Sequence, residues 1–538
     1  MLLREDTVDQ APDEQSPLLG APAKTINEPE STPIAQELPL PKLIAVLLSV
    51  WIGVFLASLD GTVISTLLAP ISSDFESFSS LSWITTAYLI AQASLQPLFG
   101  KLTDIYGRRE GLLVSNGLFT VGTALCGLAP NQYVMIVGRI LAGAGGGGMT
   151  AISSIVATDL VPLRKRGIVQ GGGNIAFGSG AALGGLFGGI VNDTIGWRWA
   201  FMIQIPLVVI SSILVLLFVN IPIKRTSEAR HKRVDYLGSL TLVLFLLLFL
   251  LALNTGGSLV PWTHPLVLTS LPLSALFLAA FIYTETHFAK EPIIPLTSFK
   301  DRTVIGACLT FLFMVMSMFS AYFFLPIYSM LRGASSTSAG LQLMPFSIGI
   351  SIGSLSAGLI MNKTGRYYYL GVASMGMFNL GTGLFTTFSL TLPTWPQYLY
   401  LLFFGTGYGA TLTVGLLALI AAVTHEEQAT TTSTSYLFRA TGGTIGAAVG
   451  SAVFQTALRR KLLSTLGSSK EAREIAQKVL KDFGEVAKVP EPWRAGVVVA
   501  YMHALRLVFV AAFVIGILGL GSMLIMKEHV LHKRLDRK

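Results

Sequence analysis

Apolar runs separated by short polar breaks dominate the chain from residue 43 to residue 526. About fourteen read as spans: 43–70, 81–99, 111–129, 133–157, 167–191, 200–221, 236–253, 266–286, 303–328, 339–361, 368–390, 398–423, 433–458 and 499–526. Roughly 20 apolar residues at 1.5 Å rise cross a hydrocarbon core, and such a run satisfies its own backbone only as a helix. The pattern predicts an all-α integral membrane bundle. Two stretches break it. Residues 1–41 hold seven prolines and scattered acids with no apolar period, which predicts a disordered tail. Between the last two runs, Ile475, Val479, Leu480, Phe483 and Val486 recur at helical spacing, which predicts an amphipathic surface helix within 459–498.

Composition agrees. Of 538 residues 52% are hydrophobic and only 12% charged, against about 25% charged in soluble domains. The net charge of +9 is not a nucleic-acid surface, because it sits in short clusters between runs. Lys101, Arg108 and Arg109; Arg164, Lys165 and Arg166; Lys224 to Arg233; Lys363 and Arg366; and Lys533 to Lys538 all fall on one side if spans alternate. The positive-inside rule then puts both termini in the cytosol and the mixed-charge loop 459–498 on the opposite, luminal side. Cys126 and Cys308 lie singly in apolar runs, so no disulfide framework is expected. No nucleophile–base or metal constellation emerges from the seven histidines, which speaks against an enzyme, a cofactor or a metal.

Charge inside the runs is scarce, and so it is informative. Asp60 stands in the first run with small and apolar residues continuing beyond it. An intramembrane aspartate costs roughly 2.5–3.5 kcal/mol, so it should face a partner or a watery cavity, unless it meets headgroups at the helix end. Arg139 lies about 12 Å into the fourth run and Asp60 about 15 Å from its exit on that side, so a pair across a cavity is possible. A purely structural salt bridge competes with that reading. Arg439 is in the thirteenth run, while Arg506, near His503, is close enough to a boundary to snorkel. With more arginines than carboxylates, a zwitterionic amino acid fits better than a bare cation: Asp60 for its ammonium, an arginine for its carboxylate.

An internal repeat sets the architecture. Gly100-Lys101-Leu102-Thr103-Asp104-Ile105-Tyr106-Gly107-Arg108-Arg109 follows the second run, and Gly358-Leu359-Ile360-Met361-Asn362-Lys363-Thr364-Gly365-Arg366-Tyr367 follows the tenth. The fifth run (Gly178, Gly180, Gly184, Gly185) and the thirteenth (Gly442, Gly443, Gly446) share glycine-rich faces. Two six-span halves, 42–222 and 303–528, are predicted, with two helices inserted in 223–302 and a short tail, 529–538. Parallel repeats around a midplane site are a transporter design. Gly100, Asp104, Gly107 and Arg108, with Gly365 and Arg366, read as gate residues. Gly180, Gly184 and Gly185 read as a surface on which helices approach and slide.

These motifs resemble the major facilitator superfamily, in its 14-span drug:proton antiporter branch. The loop from Gly100 to Arg109 resembles the superfamily's signature, and Leu59-Asp60-Gly61-Thr62 the branch's first-span motif. Arg139 with Gly143, Gly145 and Gly146 resembles the fourth-span motif, and Trp197-Arg198-Trp199 with Phe201 and Pro206 also fits the branch. Ala181 stands where the fifth-span antiporter motif has proline. Within the branch the chain looks like the fungal vacuolar amino acid transporters. That resemblance implies proton-coupled uptake of basic, and also neutral, amino acids from cytosol into vacuole. Its partners would be substrate, protons and the lipid bilayer, and it would act as a monomer. Glu14, Leu18 and Leu19 resemble an acidic dileucine signal for a clathrin adaptor. The alternatives are a multidrug:proton exporter of the plasma membrane and a non-transporting nutrient receptor on the same scaffold.

Overall fold

A computed structural model describes residues 39–75, 81–221, 235–256, 260–289, 292–294, 296–334, 336–424, 427–466, 470–481, 486, 489–529 and 531. Glu14, Leu18 and Leu19, the basic linker 224–233 and the charges from Lys533 onward lie outside them. The first half comprises α1 (Leu40–Asp74), α2 (Leu81–Tyr106), α3 (Arg108–Gly127), α4 (Gln132–Leu160), α5 (Leu163–Ile195), the short α6 (Trp197–Met202) and α7 (Gln204–Phe218). Next come α8 (Tyr236–Thr255) and α9 (Pro265–His287), the inserted pair. The second half comprises α10 (Arg302–Tyr322), α11 (Leu325–Leu331), α12 (Ser336–Leu341), α13 (Met344–Thr364), α14 (Tyr368–Phe385) and α15 (Thr394–Ala421). It ends with α16 (Gln428–Leu466), α17 (Lys470–Lys481) and α18 (Glu491–Ile525). Ten helical stretches among the described residues are long and apolar enough to cross a membrane; α2, α3, α14 and α16 are not among them.

Local chemistry sets the helix ends. Asn131 Oδ1 accepts from the N–H groups of Tyr133 and Val134 to start α4, and Asp301 Oδ1 accepts from Thr303 to start α10. Gly107 breaks α2 from α3 at φ 115°, a conformation that strains any L side chain.

Packing repeats between the halves, and glycine makes it possible. Successive turns of α5 place Gly180, Gly184 and Gly188 against the α1 carbonyls of Phe55, Leu59 and Val63. In the same way Gly442, Gly446 and Gly450 of α16 meet the α10 carbonyls of Leu312, Met316 and Ser320. A second pair of contacts sets Gly143 and Gly147 of α4 on Tyr88 and Gln92 of α2, matched by Gly405 and Gly409 of α15 on Phe346 and Ile350 of α13. Lipid supplies no hydrophobic drive between helices, so such backbone contact and its dispersion energy hold each half together. Gly185 stands apart from this surface, where an added Cβ would meet only the Thr66 methyl, at 3.7 Å; Gly188, which the sequence reading did not single out, continues the line instead.

The described residues of 459–498 form a helical elbow, with Phe483 outside them. α16 continues to Leu466, and α17 lays Ala476 and Val479 on Leu458 and Leu462 of α16 and Val497 and Tyr501 of α18. The Tyr501 hydroxyl donates to the Val479 carbonyl at 2.8 Å. The first residues after α18 are docked too: Leu531 is buried in the core of the second half.

Candidate functional site

Asp60 and Arg139 pair directly. Arg139 Nη1 donates to Asp60 Oδ2 at 2.7 Å, with the two residues 1% and 0% exposed. Arg139 Nε donates to the Ile84 carbonyl at 3.4 Å, and the guanidinium sits 4.2 Å from the Tyr88 ring centroid. Tyr88 is held by donating to the Ala57 carbonyl at 2.9 Å. Asp60 Oδ1 has no hydrogen-bond partner. Thus α1, α2 and α4 enclose an ion pair, and one carboxylate oxygen within it remains unsatisfied. The glycine contacts identify the corresponding places in the second half: Ser317 for Asp60, Phe346 for Tyr88 and Leu401 for Arg139, all buried. The repeat replaces the charged triad with small and apolar residues.

The pair does not bridge the central cavity. That cavity, of about 210 Å³, lies between the halves and contains neither Asp60 nor Arg139 in its wall. Trp51 and Val54 of α1 face it, whereas Asp60 points into its own half. A substrate held there therefore cannot touch Asp60 in this conformation, contrary to the expected ammonium contact. Polar side chains of the first half form a chain along one wall: Gln96 donates to Thr150 at 3.1 Å, and Ser154 donates to Gln170 at 3.2 Å. Asn174 donates across to Ser354 of the second half at 2.9 Å. Asn254 of the inserted helix α8 also reaches the wall, a contribution that no sequence motif announced.

Among the described residues that line the cavity, Arg439 is the one cation, and none is Asp or Glu. Its Cζ lies 4.1 Å from the Phe311 ring centroid and 4.8 Å from that of Tyr436. Its Nε and Nη2 are buried without a hydrogen-bond partner. Arg506 is exposed and donates to the Phe388 carbonyl at 3.4 Å, away from the cavity.

At the end of the bundle that carries Gly107, the halves close on each other. Gly167 of α5 abuts Gly358 of α13 backbone to backbone, and Gly100 of α2 abuts the Ser433 side chain of α16. Arg166 Nη1 donates to Gln428 at 3.1 Å across the same seam. Within the first half Arg108 binds Asp104 at 2.6 Å and Asp159 at 2.8 Å, and donates to Thr103 at 3.2 Å. The repeat differs again here. Gly365 ends α13 at φ 70°, and Arg366 is exposed. The N–H groups of Tyr367 and Tyr368 donate to the two carboxylate oxygens of Glu528, at 2.7 and 2.9 Å. The Tyr367 hydroxyl accepts from the His529 N–H at 3.0 Å. A carboxylate from beyond α18 thus caps the start of α14.

Comparison with known proteins follows this geometry. A family model, the Major Facilitator Superfamily, matches residues 50–451. The multidrug resistance protein fnx1 of Schizosaccharomyces pombe is 36% identical over 500 residues, covering 91% of this chain and 94% of its own. The vacuolar membrane amino acid uptake transporter fnx2 of the same yeast is 32% identical over 467 residues, covering 86% and 81%. Among solved structures, the human organic anion transporter MFSD10 aligns with TM-score 0.54 and 15% identity, covering 89% of this chain and all of that one.

Proposed function

The chain belongs to the major facilitator superfamily and is a multi-pass membrane transporter rather than an enzyme; from that premise we propose that it carries amino acids from the cytosol into the vacuole in exchange for protons. Fourteen spans result if α2, α3, α14 and α16 cross the bilayer along with the ten more apolar stretches. Both termini and the closed Gly107 end then face the cytosol, and the cavity is poised toward the lumen. The observation that carries the reading is the Asp60–Arg139 pair, whose Oδ1 is an unsatisfied carboxylate oxygen within one half. A proton taken from the acidic lumen on Asp60 would neutralise one side of that pair.

The link to substrate runs through α1. Asp60 follows Leu59, whose carbonyl rests on Gly184, while Trp51 and Val54 of the same helix face the cavity. A shift of α1 against α5 would alter both places together. Arg166 with Gln428 and Gly100 against Ser433 would hold the cytosolic end closed in the lumen-facing state, with Arg108, Asp104 and Asp159 bracing the first half's side of that seam. Basic amino acids are the first substrates to examine, as the vacuolar resemblance suggests. The cavity wall supplies amides rather than acids for their ammonium groups.

Labelled amino acids offered to isolated vacuoles test this reading. Wild-type protein should accumulate them when the lumen is acid, and Asp60→Asn should lose that accumulation. Undiminished uptake by the variant would remove Asp60 from the coupling step. A multidrug exporter of the plasma membrane is the second reading, favoured by the 36% identity to the multidrug resistance protein. Imaging the tagged full chain separates the two, and Glu14, Leu18 and Leu19 are the residues to change if it reaches the vacuole.

A further inference from the structure

Arg439 lines the cavity with part of its side chain exposed, while two of its nitrogens are covered and have no partner. Its guanidinium rests beside two aromatic rings, Phe311 and Tyr436, which keep it oriented at little entropic cost. The donors left over are Nε and Nη2. In a guanidinium these two N–H groups lie on one edge, parallel and spaced to match the two oxygens of a carboxylate. Leaving both unmade in a buried site is costly, because nothing replaces the water those donors gave up. Among the described residues of the wall no Asp or Glu is present to fill the gap.

We propose that Arg439 is the carboxylate anchor of the cavity, gripping an organic anion or zwitterion through Nε and Nη2. This rests on the transport reading above and deepens it, because it names the group every substrate must carry. The anchor is special to the second half. The glycine contacts of α5 and α16 set Phe177 at the corresponding place in the first half, where it also lines the cavity. Nε and Nη2 are covered in this conformation, so the side chain turns on its stem to bring that edge to the substrate, and the two hydrogen bonds left unmade are then closed. A lipophilic cation would instead be repelled by the guanidinium and find no acid to offset it.

Pairs of compounds that differ only in the carboxylate test the anchor. Lysine and cadaverine, or phenylpropionate and phenylpropanamide, are added to the purified full chain while its thermal unfolding is followed. The acid of at least one pair should raise the midpoint and its partner should not. Arg439→Gln should weaken that response about tenfold or more in apparent affinity, and Arg439→Lys should recover part of it. Reading both variants guards against a glutamine variant that fails to fold. Equal stabilisation by both members of each pair, no stabilisation by any acid, or a full response from a folded Arg439→Gln protein would overturn the proposal. Wild type that responds to an acid yet accumulates no amino acid in vacuoles would leave the anchor standing and remove the transport reading.

Discussion

Asp60→Ser combined with Arg139→Leu gives the first half the residues that the second half carries at the same places, and it separates stability from coupling. Asp60→Ser alone leaves a guanidinium that is 1% exposed with the Ile84 carbonyl at 3.4 Å as its remaining acceptor. The Tyr88 ring lies beside it in both proteins and so does not offset the loss. Removing one partner of such a pair costs about 3–5 kcal/mol, and Arg139→Leu alone should cost a similar amount by stranding the carboxylate. In the double variant no buried charge remains. Replacing a buried pair by apolar groups is often neutral or better, so its stability should return to within about 2 kcal/mol of wild type. Denaturation of the purified full chain reads the stability side. Proteoliposomes read the other: counterflow without a gradient should survive in the double variant, while accumulation driven by a pH gradient should vanish. A double variant as unstable as either single one would refute the desolvation argument. Gradient-driven accumulation at the wild-type level would refute the coupling role.

Gly184→Val should force α1 off α5, since a side chain there meets Thr62 and the Leu59 carbonyl; overpacking of this kind costs about 1–3 kcal/mol, and the loss of transport should exceed the loss of folded protein measured on the same preparation. Arg108→Ala should lower stability by about 1.5–3 kcal/mol as its charged hydrogen bonds to Asp104 and Asp159 vanish. Adding Asp104→Asn should recover part of that loss in a double-mutant cycle. Glu528→Ala should cost about 1 kcal/mol by uncapping Tyr367 and Tyr368 at the start of α14, with faster proteolysis of the α13–α14 turn as the measure.

The helices were legible because a long apolar run in lipid satisfies its backbone only as a helix. Among the described residues ten stretches are long and apolar enough to cross a membrane, and the more polar α2 and α16 also stood out as helices between their neighbours. Depth arithmetic brought Asp60 and Arg139 to one level. It could not give the rotation of α1 about its own axis, which turns Asp60 into its half and Trp51 to the cavity. The second acid on Arg108 was missed because Asp159 sits 51 residues away, at the end of α4. Its position just before Val161-Pro162, where a helix must stop on the same side, was the available signal. Gly188 was readable from the four-residue spacing after Gly180 and Gly184, whereas Gly185 lies off that line. Glu528 and Asn254 carried no signal: one was read as the last residue of the second half, just past its final apolar run, the other as part of an inserted helix.

The Asp60–Arg139 pair and Arg439 occupy places that do not correspond between the halves, and this bears on how a duplicated chain departs from equality. Two identical halves would each own an Asp60–Arg139 pair and a phenylalanine at the Arg439 position. Their shared cavity would hold no cation, and two sealed pairs would compete to set one equilibrium. In this chain each half carries charge at a place where the other has none. Joining two first halves in tandem should therefore give a protein that packs, since every glycine contact is present twice, yet has nothing with which to grip a carboxylate. The division of labour is written in side chains alone, on a backbone that still treats the halves alike.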